Sequence, residues 1–120
     1  MAKHLALILL VVYLFILTWL SFIDIGGLPS LGSSFDDKIF HALSHALLTY
    51  LFYNYFKKTT IAKPVLLSVL IPIIYGVTIE WLQGFTSNLR TADAYDVLAN
   101  FLGTVFAVIF ITLVKNVKLN

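Results

Sequence analysis

There is no cysteine among the 120 residues, so no disulfide framework, thiolate metal site or cysteine nucleophile is available. Charge is scarce too. The 8 Lys+Arg and 6 Asp+Glu make up 12% of the chain, too few of both signs to clothe a water-soluble protein of this size. No glycine-rich phosphate loop, G-x-S-x-G elbow or Ser/His/Asp series can be read, and no internal repeat or low-complexity segment is present. The formal net charge of +2 does not gather into a basic stripe. Its lysines lie at the ends of apolar runs, which excludes nucleic acid as a partner. What fills the chain is 60% hydrophobic residues, with a mean hydropathy of +0.95, so lipid must be part of the solvent.

Four apolar runs organise the chain: 5–23, 39–56, 65–83 (interrupted by one charge, Glu80) and 97–114. At about 1.5 Å per residue each reaches roughly 27 to 29 Å, close to a hydrocarbon core of about 30 Å. The expectation is an all-α, four-transmembrane-helix bundle forming a single domain over 1–120, with any chemistry in the membrane or at its surface. Lys3 followed by an apolar run also fits a signal peptide, but the run is long and Asp24-Ile25-Gly26-Gly27 lacks a small-residue cleavage site, so it reads as the first helix. The loop 26–34, rich in Gly and Ser, is a turn-rich connection. Pro64 falls where the third helix starts; Pro72 falls inside it, where a kink is expected, followed by Tyr75 and Gly76, which can admit a neighbouring helix closely.

Six of the eight Lys/Arg (Lys3, Lys57, Lys58, Lys63, Lys115 and Lys118) lie in the two tails and the central loop, whereas Lys38 and Arg90 lie in the other two loops. This bias predicts cytoplasmic termini. Trp19 and Trp81 are then expected near the outer interface, and Tyr50, Phe52, Tyr53, Tyr55 and Phe56 as an inner aromatic belt. The chemistry-bearing residues fall on the outer side: Asp36, Asp37, Lys38, His41 and His45 open the second helix, Glu80 and Gln83 close the third, and Arg90, Asp93, Asp96 and Asn100 precede or open the fourth.

Spacing gives each helix a polar stripe: Asp37, His41 and His45 at steps of four, Glu80 and Gln83 at three, and Asp93, Asp96, Asn100, Gly103 and Ala107 at three or four. Ionisable groups in hydrocarbon turn inward and pair, so one extracytoplasmic polar site is expected. Asp36 and Asp93 also fit helix caps. Glu80 sits at the negative end of its helix, so it needs a partner such as Arg90, Lys38 or a protonated histidine. His41 and His45 can serve as general acid or base, or with Glu80 or Asp96 as ligands for a divalent metal; Ala42 stands where the H-E-x-x-H pattern has glutamate, and no metal or cofactor is assigned. Arg90 either binds a phosphate or pairs with Asp93 or Asp96, and Asn100 with Gly103 is either site or packing glue.

Three segments, Asp37-Lys38-Ile39-Phe40-His41, Tyr75 to Gln83 and Arg90 to Gly103, resemble the VanZ family of small bacterial membrane proteins. The family patterns are roughly D-K-x-x-H, G-x-x-I-E-x-x-Q and R-x-x-D-x-x-D-x-x-x-N-x-x-G, in the same order and spacing over about two-thirds of the chain. The resemblance carries over Asp37, Lys38, His41, Glu80, Gln83, Arg90, Asp93, Asp96, Asn100 and Gly103. His45 departs from it, since the family commonly has an aromatic there. The family is named for a protein associated with low-level resistance to the glycopeptide teicoplanin, which implies the bacterial cytoplasmic membrane and an envelope context. If the protein is an enzyme, the clustering makes Glu80, Asp96 and His41 its catalytic acid/base groups or metal ligands, while Lys38, Arg90, Gln83, Asn100, Asp37 and Asp93 bind substrate, with Lys38 or Arg90 neutralising a phosphate. The expected partners are membrane lipids and a lipid-linked envelope precursor, lipoteichoic acid or phospholipid. A non-catalytic binding protein with a structural polar network is the alternative.

Overall fold

The computed structural model describes residues 2–22, 34–86 and 94–119, with only the helical backbone described at 34–36, 86 and 116–119. Each apolar run forms one helix: α1 Lys3–Phe22, α2 Ser34–Phe56, α3 Pro64–Thr86 and α4 Ala94–Leu119. The described residues are all-α. Pro64 is the first residue of α3, where its missing N–H removes no helical bond. Pro72 is buried, and α3 continues through it. The α2 end is closed by Lys57 N donating to Tyr53 O (2.9 Å), Lys58 N to Tyr55 O (3.0 Å) and the Thr59 hydroxyl to Phe56 O (2.7 Å). The short connection that follows turns α3 back antiparallel to α2.

α2 starts five residues before its apolar run, so Asp36 lies within the helix's first turn and not ahead of it as an N-cap. This helix packs against all three others, and its partnership with α4 is the most extensive. The two run parallel, in register from Lys38–Asp96 through His41–Asn100 to Tyr50–Phe110. Small residues make this possible: Ala99, Gly103 and Ala107 recur every four residues on the buried face of α4. A Cβ on Gly103 would overlap the Ala42 carbonyl oxygen and lie 2.7 Å from its carbon, so backbone meets backbone there.

The distribution of polarity is inverted relative to a water-soluble bundle. Among the described residues nine polar or charged side chains are buried against eight hydrophobic ones, while Phe15 (74%), Phe106 (66%) and Ile74 (64%) stand exposed. An apolar exterior of this extent needs lipid against it. α1, α3 and α4 are each long and apolar enough to cross a membrane, which marks a multi-pass membrane protein. α2 is not among them. It carries His41, His45 and the acidic opening, and much of that polarity turns into the bundle.

The apolar part of the core is a cluster of Leu10, Leu48, Phe52 and Phe56. Two members of the expected aromatic belt therefore point inward: Phe52 and Phe56 stack on each other at 5.6 Å between ring centroids. Trp19 and Trp81 both face outward at the same end of the bundle. Mid-bundle, Thr49 and Thr104 join hydroxyls at 3.0 Å and are wholly buried. Thr49→Val is expected to cost about 1 kcal/mol, because the Thr104 hydroxyl loses its partner in an apolar setting. Thermal unfolding in detergent measures this, and an unchanged midpoint would refute it.

Candidate polar site at one end of the bundle

The i, i+4 spacing along α2 places Asp37 and His41 on one face, and the parallel α4 brings Asp96 and Asn100 to meet them. Lys38 donates to the Asp96 carboxylate and has Asp37 at 3.6 Å. His41 Nε2 lies 3.5 Å from Asp96 and 3.7 Å from Asp37. Its other nitrogen, Nδ1, is 3.1 Å from Asn100 Oδ1. Asp96 and Asn100 are buried and Asp37 is exposed, so the cluster runs from the bundle's end into its interior. Lys38, expected as a phosphate anchor, is held by carboxylates.

Gln83 donates to Ser21 O at 2.6 Å, tying the end of α3 to the end of α1, a structural bond where a substrate contact was expected. Glu80 is buried one turn before it. The carboxylate oxygens of Asp37 and Asp96 and a nitrogen of His41 all lie within 4.8 Å of one another, a spacing that admits a cation; Glu80 and His45 fall outside that group. Lys38 already supplies one positive charge there. The divalent-metal set expected from His41 and His45 together is thus not assembled. Only His41 joins the acids.

His45 lies one turn deeper, 4% exposed, with neither ring nitrogen hydrogen-bonded. Gly76 makes room for it: a Cβ there would come within 2.7 Å of His45 Nε2 and 3.0 Å of Asn100 Nδ2. The close approach expected near Tyr75 and Gly76 is therefore made by a histidine side chain. Tyr75 itself shares a hydrogen bond with Thr18 at 2.7 Å, and Tyr13 donates to Ser44 O at 2.7 Å.

Between α3 and α4, beside this cluster, lies a cleft of about 300 Å³. Its wall is apolar (Ile73, Val77, Val97, Leu98 and Phe101), and its polar contribution comes from Asn100. The cleft joins an apolar trough to the hydrogen-bonded network. Arg90 and Asp93 lie outside the described residues, as does the Asp36 side chain.

Sequence reasoning placed the polar groups at one end and did not follow them inward. Buried Thr49, Thr104, Ser68 and Asn54 carry polarity through the bundle toward Lys58, which bonds Asn54 Oδ1 at 3.0 Å. The signal was present, since Thr49 continues the Asp37, His41, His45 series by one more step of four. Comparison of the chain with protein-family models, with curated proteins and with solved structures finds no match.

Proposed function

We propose that this chain is a four-span protein of the bacterial cytoplasmic membrane that holds the headgroup of an envelope amphiphile at its polar end. The observation that carries the reading is the α3–α4 cleft, whose apolar lining includes one polar side chain, Asn100, itself joined to the His41–Asp96–Lys38 network. A molecule with an acyl or prenyl tail and a polar head matches that combination of surfaces. α2 completes the four spans with its polar residues shielded by its three neighbours, and the Lys bias toward the tails and central loop orients the polar end outward. The resemblance to the VanZ family agrees with an envelope amphiphile, a lipid-linked wall precursor, lipoteichoic acid or phospholipid, and with a link to teicoplanin susceptibility. Asp37 and Asp96 both face the single ammonium of Lys38, so a headgroup bearing an amine complements the described cluster better than a bare phosphate. If the site is catalytic, His41 and Asp96 are the pair within reach of each other for proton transfer, with Glu80 as a further buried carboxylate.

A second reading, a structural network in a binding or partner protein, is favoured by one specific feature: Lys38, His41 and Gln83 each have a partner inside the bundle, Asp96, Asn100 and the Ser21 carbonyl respectively. Native mass spectrometry of protein extracted with its own lipids separates the two. Val97→Trp narrows the trough without touching the network, and is expected to abolish retention of one lipid species while the thermal midpoint holds. If wild type and Val97→Trp carry the same lipids and Asp96→Asn only lowers the midpoint, the amphiphile reading fails.

A further inference from the structure

At the opposite end of the bundle, a second groove of about 360 Å³ lies between α2 and α4. Its rim carries Lys57 and Lys115, and Tyr53 lies between them and the apolar floor. The floor is formed by Tyr50 and Phe110, in edge contact at 6.3 Å, with Ile111 and Val114 alongside. Tyr50 is seven residues before Lys57 and Phe110 five before Lys115, so the floor lies about 8 to 10 Å deeper along the helices than the ammonium groups.

Charge at this end is uncompensated. All six acidic residues, Asp24, Asp36, Asp37, Glu80, Asp93 and Asp96, belong in sequence to the other end, and none occurs between 38 and 79 or after 96. Lys58 is bonded to Asn54, through the side chain at 3.0 Å and the backbone carbonyl at 3.3 Å. Lys57 has only the face of Tyr53, 5.4 Å from its centroid, and Lys115 has no ion-pair partner among the described residues. The hydroxyls of Tyr50 and Tyr53 make no hydrogen bond among the described residues. Two ammonium groups and two free phenols therefore surround an opening whose depth is apolar.

We propose that this groove is a binding site for an anionic phospholipid. The lysines take the phosphate, the tyrosine hydroxyls donate to its oxygens or to the ester carbonyls, and one acyl chain runs along Phe110 and Ile111 toward the bundle's middle. Clustered lysines between membrane helices select anionic over zwitterionic headgroups, because the negative charge must come from outside the chain. The site is independent of the amphiphile reading, sharing no residue with the other end.

The test is native mass spectrometry of the full chain in detergent with equal amounts of dioleoyl phosphatidylglycerol and dioleoyl phosphatidylcholine. Wild type is expected to retain phosphatidylglycerol preferentially. Lys57→Gln with Lys115→Gln should weaken it about 30-fold, which is about 2 kcal/mol at 1.4 kcal/mol per tenfold, and leave phosphatidylcholine unchanged. Lys58→Gln should change neither, and Lys57→Arg with Lys115→Arg should keep the preference, which separates loss of charge from loss of fold. Equal retention of the two lipids by wild type, or indifference of the glutamine pair, overturns the site. A dimer that dissociates in the glutamine pair would give the groove to a second copy of the chain and overturn it equally.

Discussion

Gly103→Val is expected to break the bundle apart at its tightest seam. The Cβ of any residue at 103 meets the carbonyl oxygen, carbonyl carbon and Cα of Ala42, the last two at 2.7 and 2.9 Å, and backbone atoms cannot rotate aside as a side chain can. α2 and α4 must therefore separate. His41 is the residue before Ala42, and Asn100 lies three residues before Gly103 on the same buried face of α4, so the separation also stretches the 3.1 Å His41–Asn100 contact and the Lys38–Asp96 pair. Overpacking of this kind costs about 1 to 3 kcal/mol, and each stretched polar contact adds about 1 kcal/mol. Together they reach a large part of a stability of about 5 to 15 kcal/mol. Thermal unfolding followed by circular dichroism in mild detergent should show the midpoint of Gly103→Val far below wild type, with Gly103→Ala between them. Leu102→Ala, next door but facing lipid, should stay near wild type. A Gly103→Ala midpoint equal to that of wild type would show that α2 and α4 do not approach as described.

Asp96→Ala is the second large effect. It leaves the Lys38 ammonium, whose side chain is 25% exposed, without its main acceptor, and it takes one of two carboxylates away from His41. Removing one partner from a fully buried ion pair costs about 3 to 5 kcal/mol. The loss here should fall below that range, since Asp37 remains 3.6 Å from Lys38 and water reaches the lysine. Because the cost arises from a half-buried ammonium that has lost its nearest acceptor, the double replacement Lys38→Met with Asp96→Leu should recover most of it. A double-mutant cycle on the thermal or denaturant midpoint measures the coupling, expected at about 1 to 3 kcal/mol. Additivity within about 0.5 kcal/mol would mean that the pair does not hold the helices together. The outcome also bears on function: if the recovered double variant still retains its lipid species, Asp96 and Lys38 are scaffold and the headgroup contacts lie elsewhere.

Gly103 and Asn100 show how far spacing alone is legible. Gly103 and Asn100 are three apart, and sequence left both as either site or glue. The structure separates them: Gly103 is pure close approach, whereas Asn100 bonds His41 and lines the α3–α4 cleft. His45 shares the Asp37–His41 stripe, which by spacing suits a metal set, yet a further turn carries it past the carboxylates to Gly76. Lys57 and Lys58 are neighbours that composition cannot distinguish. One turns over Tyr53 into the groove and the other folds back on Asn54, because adjacent positions on a helix end lie about 100° apart.

That the chain is helical and lipid-adapted, with its acidic groups toward one end and most of its lysines toward the other, follows from the residues in order, because run length, hydropathy and charge position need no tertiary contact. Helical spacing also settled which residues share a face within one helix. Which faces meet, the inward turn of Phe52 and Phe56, the continuation of polar residues through the core and the pairing of Lys38 with Asp96 come from the packing of the helices. Those outcomes depend on the rotation and separation of one helix against another. Both are set by the contact of Gly103 with Ala42 and by the packing around it, to which residues distant in the chain contribute jointly.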